Sequence, residues 1–247
     1  MDFKVIPDQQ TPTVELLSRS VKSLIEDNHT QFKAFLEFAK NQSTAVGLAA
    51  NQVSLDGERF MHRVFALKNL KKASDGSWTT DNTWRLIIDP VITERYGIKI
   101  EKSEGCLTWI NKKIISERHR FVKVSYYTVD DDFEIITKVD NEEHEDFEAQ
   151  IWQHEINHLN GFEERVEGYS YILHVKDPAQ RNDTCPCGSG KKYKSCCYSF
   201  VNPKVVYKQR ESFDSKLAGG AKPVSIPTPT SDPFAPSPIA FTKQGEV

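Results

Sequence analysis

Gln153-His154-Glu155-Ile156-Asn157-His158 is the stretch on which the reading of this 247-residue chain turns. It is an H-E-x-x-H run. On a helix, residues i and i+4 share a face, so both imidazoles project the same way with a carboxylate between them placed to act as a base. Phe147 and Ile151 precede His154 and His158 along one stripe, which turns the imidazoles inward. Glu142, Glu143, Glu145 and Asp146 crowd the first turns of a helix expected over about 142–159, where carboxylates favour the positive end of the dipole. Gly161 falls where the C-cap of that helix belongs. A hydrolytic metal site takes three protein ligands and keeps one position open. The third ligand must come from elsewhere, and Cys106 is the candidate because no other cysteine occurs before residue 185.

Working outward, residues 14–40 hold helical material, with Leu16, Leu17, Val21, Leu24 and Ile25 and then Phe32, Phe35, Leu36 and Phe38 at helical spacing. Short β-like runs follow at 60–68, 84–88, 98–101, 112–116, 122–127 and 133–138, with Asp130-Asp131-Asp132 as the turn between the last two. The pattern predicts an α+β fold of mostly antiparallel sheets around a central H-E-x-x-H helix. Hydrophobic content of 38% and charged content of 27% suit a soluble protein. The start, Met1-Asp2-Phe3-Lys4-Val5-Ile6-Pro7, lacks the basic and apolar regions of a signal peptide, and no apolar run approaches the ~18 residues a membrane span needs. A cytoplasmic location is expected.

The net charge of −3 hides an asymmetry: residues 1–173 carry 21 Lys+Arg against 29 Asp+Glu, whereas residues 174–216 carry nine against four. A basic module behind an acidic body points to an anionic partner for the module, or to a solvated polar surface. Five cysteines without a secretory signal argue for metal binding or catalysis over disulfides. Four of them, Cys185, Cys187, Cys196 and Cys197, fall within thirteen residues.

Three segments taken in order, Gly47-Leu48-Ala49-Ala50-Asn51-Gln52, Glu104-Gly105-Cys106-Leu107-Thr108 and the H-E-x-x-H run, resemble the motifs of peptide deformylases over roughly residues 1–173. The resemblance implies metal-dependent hydrolysis of the N-formyl group from the formyl-methionine of nascent proteins. It assigns Cys106, His154 and His158 as ligands of one divalent metal, iron(II) by family habit with zinc or nickel tolerated by the same ligands. Glu155 would be the general base, and the Gln52 amide and Leu107 N–H would stabilise the oxyanion. The substrate would pair as an added strand at Gly47, framed by Val46 and Leu48. Arg118 matches a position that contacts substrate carbonyls. Leu107, Ile151 and Val46 would wall the methionine pocket. Four departures stand out: Ala45 for Gly, Thr108 for Ser, Asn157 for Asp, and Asp89-Pro90 for Asn-Pro.

Arg181 to Cys197 has the spacing C-x-C-x8-C-C and closely resembles the SEC-C motif, the zinc-binding tail of the bacterial preprotein-translocase ATPase. Four thiolates can close a structural zinc site, and a module of this size folds around its metal. Lys191, Lys192, Lys194 and Arg181 could meet phosphates, so the resemblance implies a tether to the ribosome or a secretion chaperone; a metal clip packed on the catalytic domain is the other reading. The expected division is a catalytic body at 1–173, a zinc module at 174–203 and a disordered Pro-rich tail at 204–247. Two rivals compete with deformylation. One is a zinc protease using Glu164 as a ligand, and the other is a ribosome- or chaperone-binding adaptor with a degenerate catalytic domain.

Overall fold

The structure is a computed structural model describing residues 1–110, 112–162, 165–168 and 179–201. The expected tail at 204–247, Glu164 and part of the 174–203 module lie outside the described residues. In chain order the elements are β1 (Phe3–Val5), α1 (Val21–Lys40), β2 (Gly47–Ala49), β3 (Val53–Leu55), β4 (Glu58–Arg59), β5 (Val64–Lys72), β6 (Trp78–Glu104), β7 (Lys112–Val129), β8 (Ile136–Glu145), α2 (Asp146–Leu159), β9 (Arg165–Gly168) and α3 (Tyr198–Val201). All pairings between these strands are antiparallel. One sheet runs β1-β3-β4; the larger runs β2-β5-β6-β7-β8, with β9 added to β7.

Alternation along β5 explains the layering. Val64 and Ala66 join one core cluster with Phe32, Phe35 and Leu36 of α1, while Phe65 and Leu67 join another with Trp152, Ile156 and Leu159 of α2. A strand apolar on both faces needs cover on both, and the two helices supply it.

The element boundaries differ from the sequence reading in two instructive places. Helix α1 starts at Val21, because Ser20 caps it by accepting from Ser23 N at 3.1 Å. The preceding residues cover the end of α2 instead: Val14 N donates to Leu159 O at 2.8 Å and the Thr11 hydroxyl to His158 O at 2.8 Å. Glu142, Glu143 and Glu145 belong to β8, pairing with Val124, Lys123 and Phe121, so the acidic run is a strand and α2 begins at Asp146. Pairing on an existing sheet outweighs their helical preference. The separate short runs at 84–88 and 98–101 are parts of β6, and those at 112–116 and 122–127 are parts of β7; β6 bends through register shifts near 88–91, 92–94 and 96–99.

The cysteine-rich module does not hang free. Cys185, Tyr193, Cys197 and Val201 form a small cluster against Ile98 and Ile100 of β6. The Lys102 ammonium donates to the Phe200 carbonyl and lies 4.1 Å from the Phe200 ring centroid. Among the described residues no helix is long and apolar enough to cross a membrane.

Candidate active site

Helix α2 is held at both ends and in the middle. At its C-terminal end Asn51 Nδ2 donates to His158 O at 2.6 Å, and Gly161 follows with a φ of 63°. A Cβ at Gly161 would lie 2.6 Å from Thr13 N, so only glycine lets the 11–14 segment close over this end. In the middle, Gln153 behaves like a strand edge, accepting from His119 N and donating to His119 O, both at 2.9 Å. These bonds fix the rotation of the helix and bring His154, Glu155 and His158 under β2 and the loop after β6.

Cys106, on that loop, meets the two histidines. Its Sγ is 3.3 Å from His158 Nε2, and His158 Nε2 is 3.1 Å from His154 Nε2. The three donor atoms lie within 4.8 Å of one another. Two imidazole nitrogens and a sulfur gathered this closely are a donor set suited to a divalent ion. The residues fit that group.

The orientation of His154 comes from Glu104, whose Oε2 is 2.8 Å from His154 Nδ1. A proton held there leaves Nε2 free as the donor. Glu104 is itself gripped by Arg118 through Nε at 2.9 Å and Nη2 at 2.6 Å. Burial works against the Glu104 charge, but Arg118 and His154 outweigh it and hold the carboxyl down at about 2.

This corrects the expectation for Arg118. It is 2% exposed, its guanidinium is spent on Glu104, and it does not line the cleft beside Cys106, so it is not placed to contact substrate carbonyls. Sequence reasoning quoted Glu104 but gave it no task; an acid two residues before the candidate metal-ligating cysteine was the available signal. Asn157 belongs to the same group. With its carboxamide oxygen toward the guanidinium, it accepts from Arg118 Nη1 at 2.9 Å and donates to Gln153 O at 3.1 Å. A neutral acceptor therefore keeps the contact. Asp89 also has a reason: it gives the buried Arg63 a carboxylate, 3.6 Å from Nε.

Beside Cys106 opens a cleft of about 610 Å³, with Val46, Gly47, Gln52, Leu107, Ile151 and Glu155 in its lining. The structure thus brings together the residues expected to frame a peptide and those expected to act on it. Leu48 instead points into the α1 side of the core. Glu155 is 3% exposed, and its Oε2 has no hydrogen-bond partner. Burial pushes its carboxyl up to about 7. Gly47 is needed for a reason the sequence did not reveal: a Cβ there would come within 2.7 Å of Glu155 Cδ. The Gln52 amide is fixed by accepting from Ala49 N at 2.8 Å and donating to Thr108 Oγ1 at 3.0 Å, with Nε2 3.3 Å from Cys106 Sγ. Thr108 keeps the hydroxyl that this arrangement uses.

The second cluster, Cys185, Cys187, Cys196 and Cys197, also gathers its sulfurs within 4.8 Å. Cys187 and Cys196 are 3.5 Å apart, and Cys196 and Cys197 3.9 Å. Four thiol groups and no open side fit a closed structural ion.

A model of the polypeptide deformylase family matches residues 5–167, and one of the SEC-C motif matches residues 181–199. Peptide deformylase 2 of Coxiella burnetii is 25% identical over 175 residues, which cover 71% of this chain and 75% of that protein. A class I type b peptide deformylase of Acinetobacter baumannii, solved with Met-Ala-Ser bound, is 22% identical with a TM-score of 0.47, over 64% of this chain and 92% of that one. The SecA 1 translocase subunit of Rhodopirellula baltica is 58% identical over 38 residues, covering 15% of this chain and 3% of that subunit. With a family match that spans most of its length and includes the cysteine, both histidines and the glutamate of the cleft, the chain belongs to the polypeptide deformylases, metal-dependent enzymes whose substrates are nascent formyl peptides.

Proposed function

We propose that this chain hydrolyses the formyl group from the N-terminal formyl-methionine of nascent polypeptides, releasing formate, with Cys106, His154 and His158 holding one divalent ion. The observation that carries the reading is the convergence of Cys106 Sγ, His154 Nε2 and His158 Nε2 beside a cleft lined by Cys106, His154 and Glu155, whose Oε2 is unpartnered. When bound there, a divalent ion supplies Lewis acidity to the formyl carbonyl and to a water.

The chain's own residues do the rest. The Glu155 carboxylate takes the proton of the attacking water and delivers it to the departing amine nitrogen. The Gln52 side-chain amide, whose oxygen accepts from Ala49 N and whose Nε2 lies by Cys106 Sγ, and the Leu107 N–H would stabilise the oxygen on which charge develops. Strand β2 is the edge of its sheet, so Val46 and Gly47 can accept a peptide as one more strand. Val46, Leu107 and Ile151 give an apolar wall for the methionine side chain. Iron(II) is the proposed catalytic ion and zinc the ion of the cysteine cluster.

The measurement is formate release from formyl-Met-Ala-Ser by metal-loaded protein. Activity that Glu155→Ala abolishes supports the reading; silence of both proteins on this substrate sinks it. A tether to the ribosome extends the proposal: Lys191, Lys192, Lys194 and Arg181 are exposed on the docked module. Co-sedimentation with ribosomes should weaken with salt and weaken further when the three lysines are changed to glutamine. Equal pelleting of both proteins removes the tether and leaves the deformylase reading intact.

A further inference from the structure

Three consecutive residues of β7 grip α2 along its length. Arg118 reaches Asn157, the His119 backbone is bound by Gln153, and Arg120 Nε donates to Asp146 Oδ1 at 2.8 Å. The last contact holds a weak point. Asp146 is the first residue of α2 and has a φ of 51°, while Glu145 before it makes no side-chain cap bond. Asp tolerates that conformation better than most side chains, but at a helix start it still benefits from contacts that hold it. Here the carboxylate is pinned from two sides, since Lys72 Nζ donates to Oδ2 at 2.8 Å.

Arg120 has a second attachment. Its Nη1 lies 3.3 Å from both Cys196 Sγ and Cys197 Sγ. One largely buried guanidinium therefore joins the start of the helix that carries His154, Glu155 and His158 to half of the cysteine cluster. Among the described residues the module's buried cluster is Cys185, Tyr193, Cys197 and Val201, a core small enough that its sulfurs would stay in register through the ion they share. Ile98, Ile100 and Lys102 of β6 seat the module on the sheet beside Arg120.

We propose that the metal-loaded cysteine module is a buttress of the active-site helix, with Arg120 as the positioning residue that transmits it. Occupancy of the Cys185, Cys187, Cys196 and Cys197 site fixes Arg120. Arg120 fixes Asp146, and Asp146 holds the first turn of α2 in the conformation from which the ligands and Glu155 follow. Loss of the structural ion then loosens the helix from its N-terminal end without altering Cys106 or either histidine. The inference rests on reading α2 as the catalytic helix, but its test does not require catalysis.

The experiment uses the full-length protein with both sites loaded, alongside Cys185→Ser, Arg120→Met and the double variant. Cys185→Ser breaks the cluster while leaving both sulfurs that meet Arg120. Amide hydrogen exchange is followed in peptides covering 146–151, with peptides from α1 as reference, and metal content is measured in parallel. Cys185→Ser should lower the metal content from about two ions per chain to about one and speed exchange at 146–151 roughly tenfold. Arg120→Met should speed exchange there to a similar extent, and the double variant no more than either single change, as expected for one linked path. Arg120→Lys, which keeps the charge but cannot span both partners, should fall between wild type and Arg120→Met. Exchange in Cys185→Ser within twofold of wild type overturns the proposal. So does a double variant whose effect is the product of the two, or a rise that extends equally to α1. Absence of formate release with the exchange linkage intact would remove the deformylase reading and leave the buttress standing.

Discussion

At the scale of single residues the site is a set of buried groups whose charges and shapes constrain one another. Glu155 has room for its carboxylate only because residue 47 has no side chain, so Gly47→Ala should lower kcat at least tenfold and cost about 1–3 kcal/mol of stability. Full activity in that variant would mean that Glu155 tolerates displacement. Glu155→Gln should cost roughly 10²–10⁴ in kcat with both metal sites still occupied, measured as formate release against metal content. Glu104→Gln leaves the Arg118 guanidinium buried without its counter-charge, which should destabilise the chain by about 3–5 kcal/mol and weaken catalytic-metal retention some 10–100-fold. Denaturant unfolding and metal-release kinetics check the two parts separately. The cluster of Cys106, His154 and His158 was legible because metal-ligand chemistry is written in residue type and spacing. The Glu104–Arg118 pair was not, because it forms between neighbouring strands: Arg118 pairs with Ile100, four residues along β6 from Glu104, and reaches the carboxylate by running along the strand. Composition and periodicity carry no record of such a reach.

At the scale of elements, the layering of the large sheet follows from strands apolar on both faces, and β5 announced this in Val64-Phe65-Ala66-Leu67. The ends of α2 were harder to read. Residues 142–145 look helical in isolation, yet they become strand because β7 offers a partner for each of them, and tertiary pairing outranks a charge preference at a helix start. Gly161 was legible as a helix stop; that the stop is also where the 11–14 segment crosses was not, since it depends on a contact with Thr13. Gln153 is the element-scale joint, replacing a missing strand partner for His119. Gln153→Ala leaves the His119 backbone groups without those bonds and should cost about 1–3 kcal/mol in unfolding free energy. If the variant unfolds at the wild-type denaturant midpoint, α2 is held by apolar packing alone.

For the whole molecule, the sequence reading divided the chain into a catalytic body and a cysteine module and left open whether the module is a tether or a clip. The answer depends on Ile98, Ile100, Lys102 and Arg120, none of which belongs to a motif. A chain ending at residue 178 keeps every group of the cleft, so it should still hydrolyse formyl-Met-Ala-Ser. It loses the contacts that cover β6 and the start of α2, and a loss of about 1–2 kcal/mol would lower its melting temperature by roughly 2–8 °C. An unchanged melting curve would show the docked module to be energetically idle.

The Arg120 bridge also has a temporal meaning. Helix α2 is made first, while Cys196 and Cys197 leave the ribosome roughly 40 residues later. At about 5–20 residues per second, that is a delay of seconds. Through this interval the newly made helix already carries its histidines and glutamate but lacks its outer support. A copy made without that ion has a complete cleft but an unsupported start to α2, so supply of the module's ion during translation sets how firmly each new catalytic helix is held rather than whether its site exists.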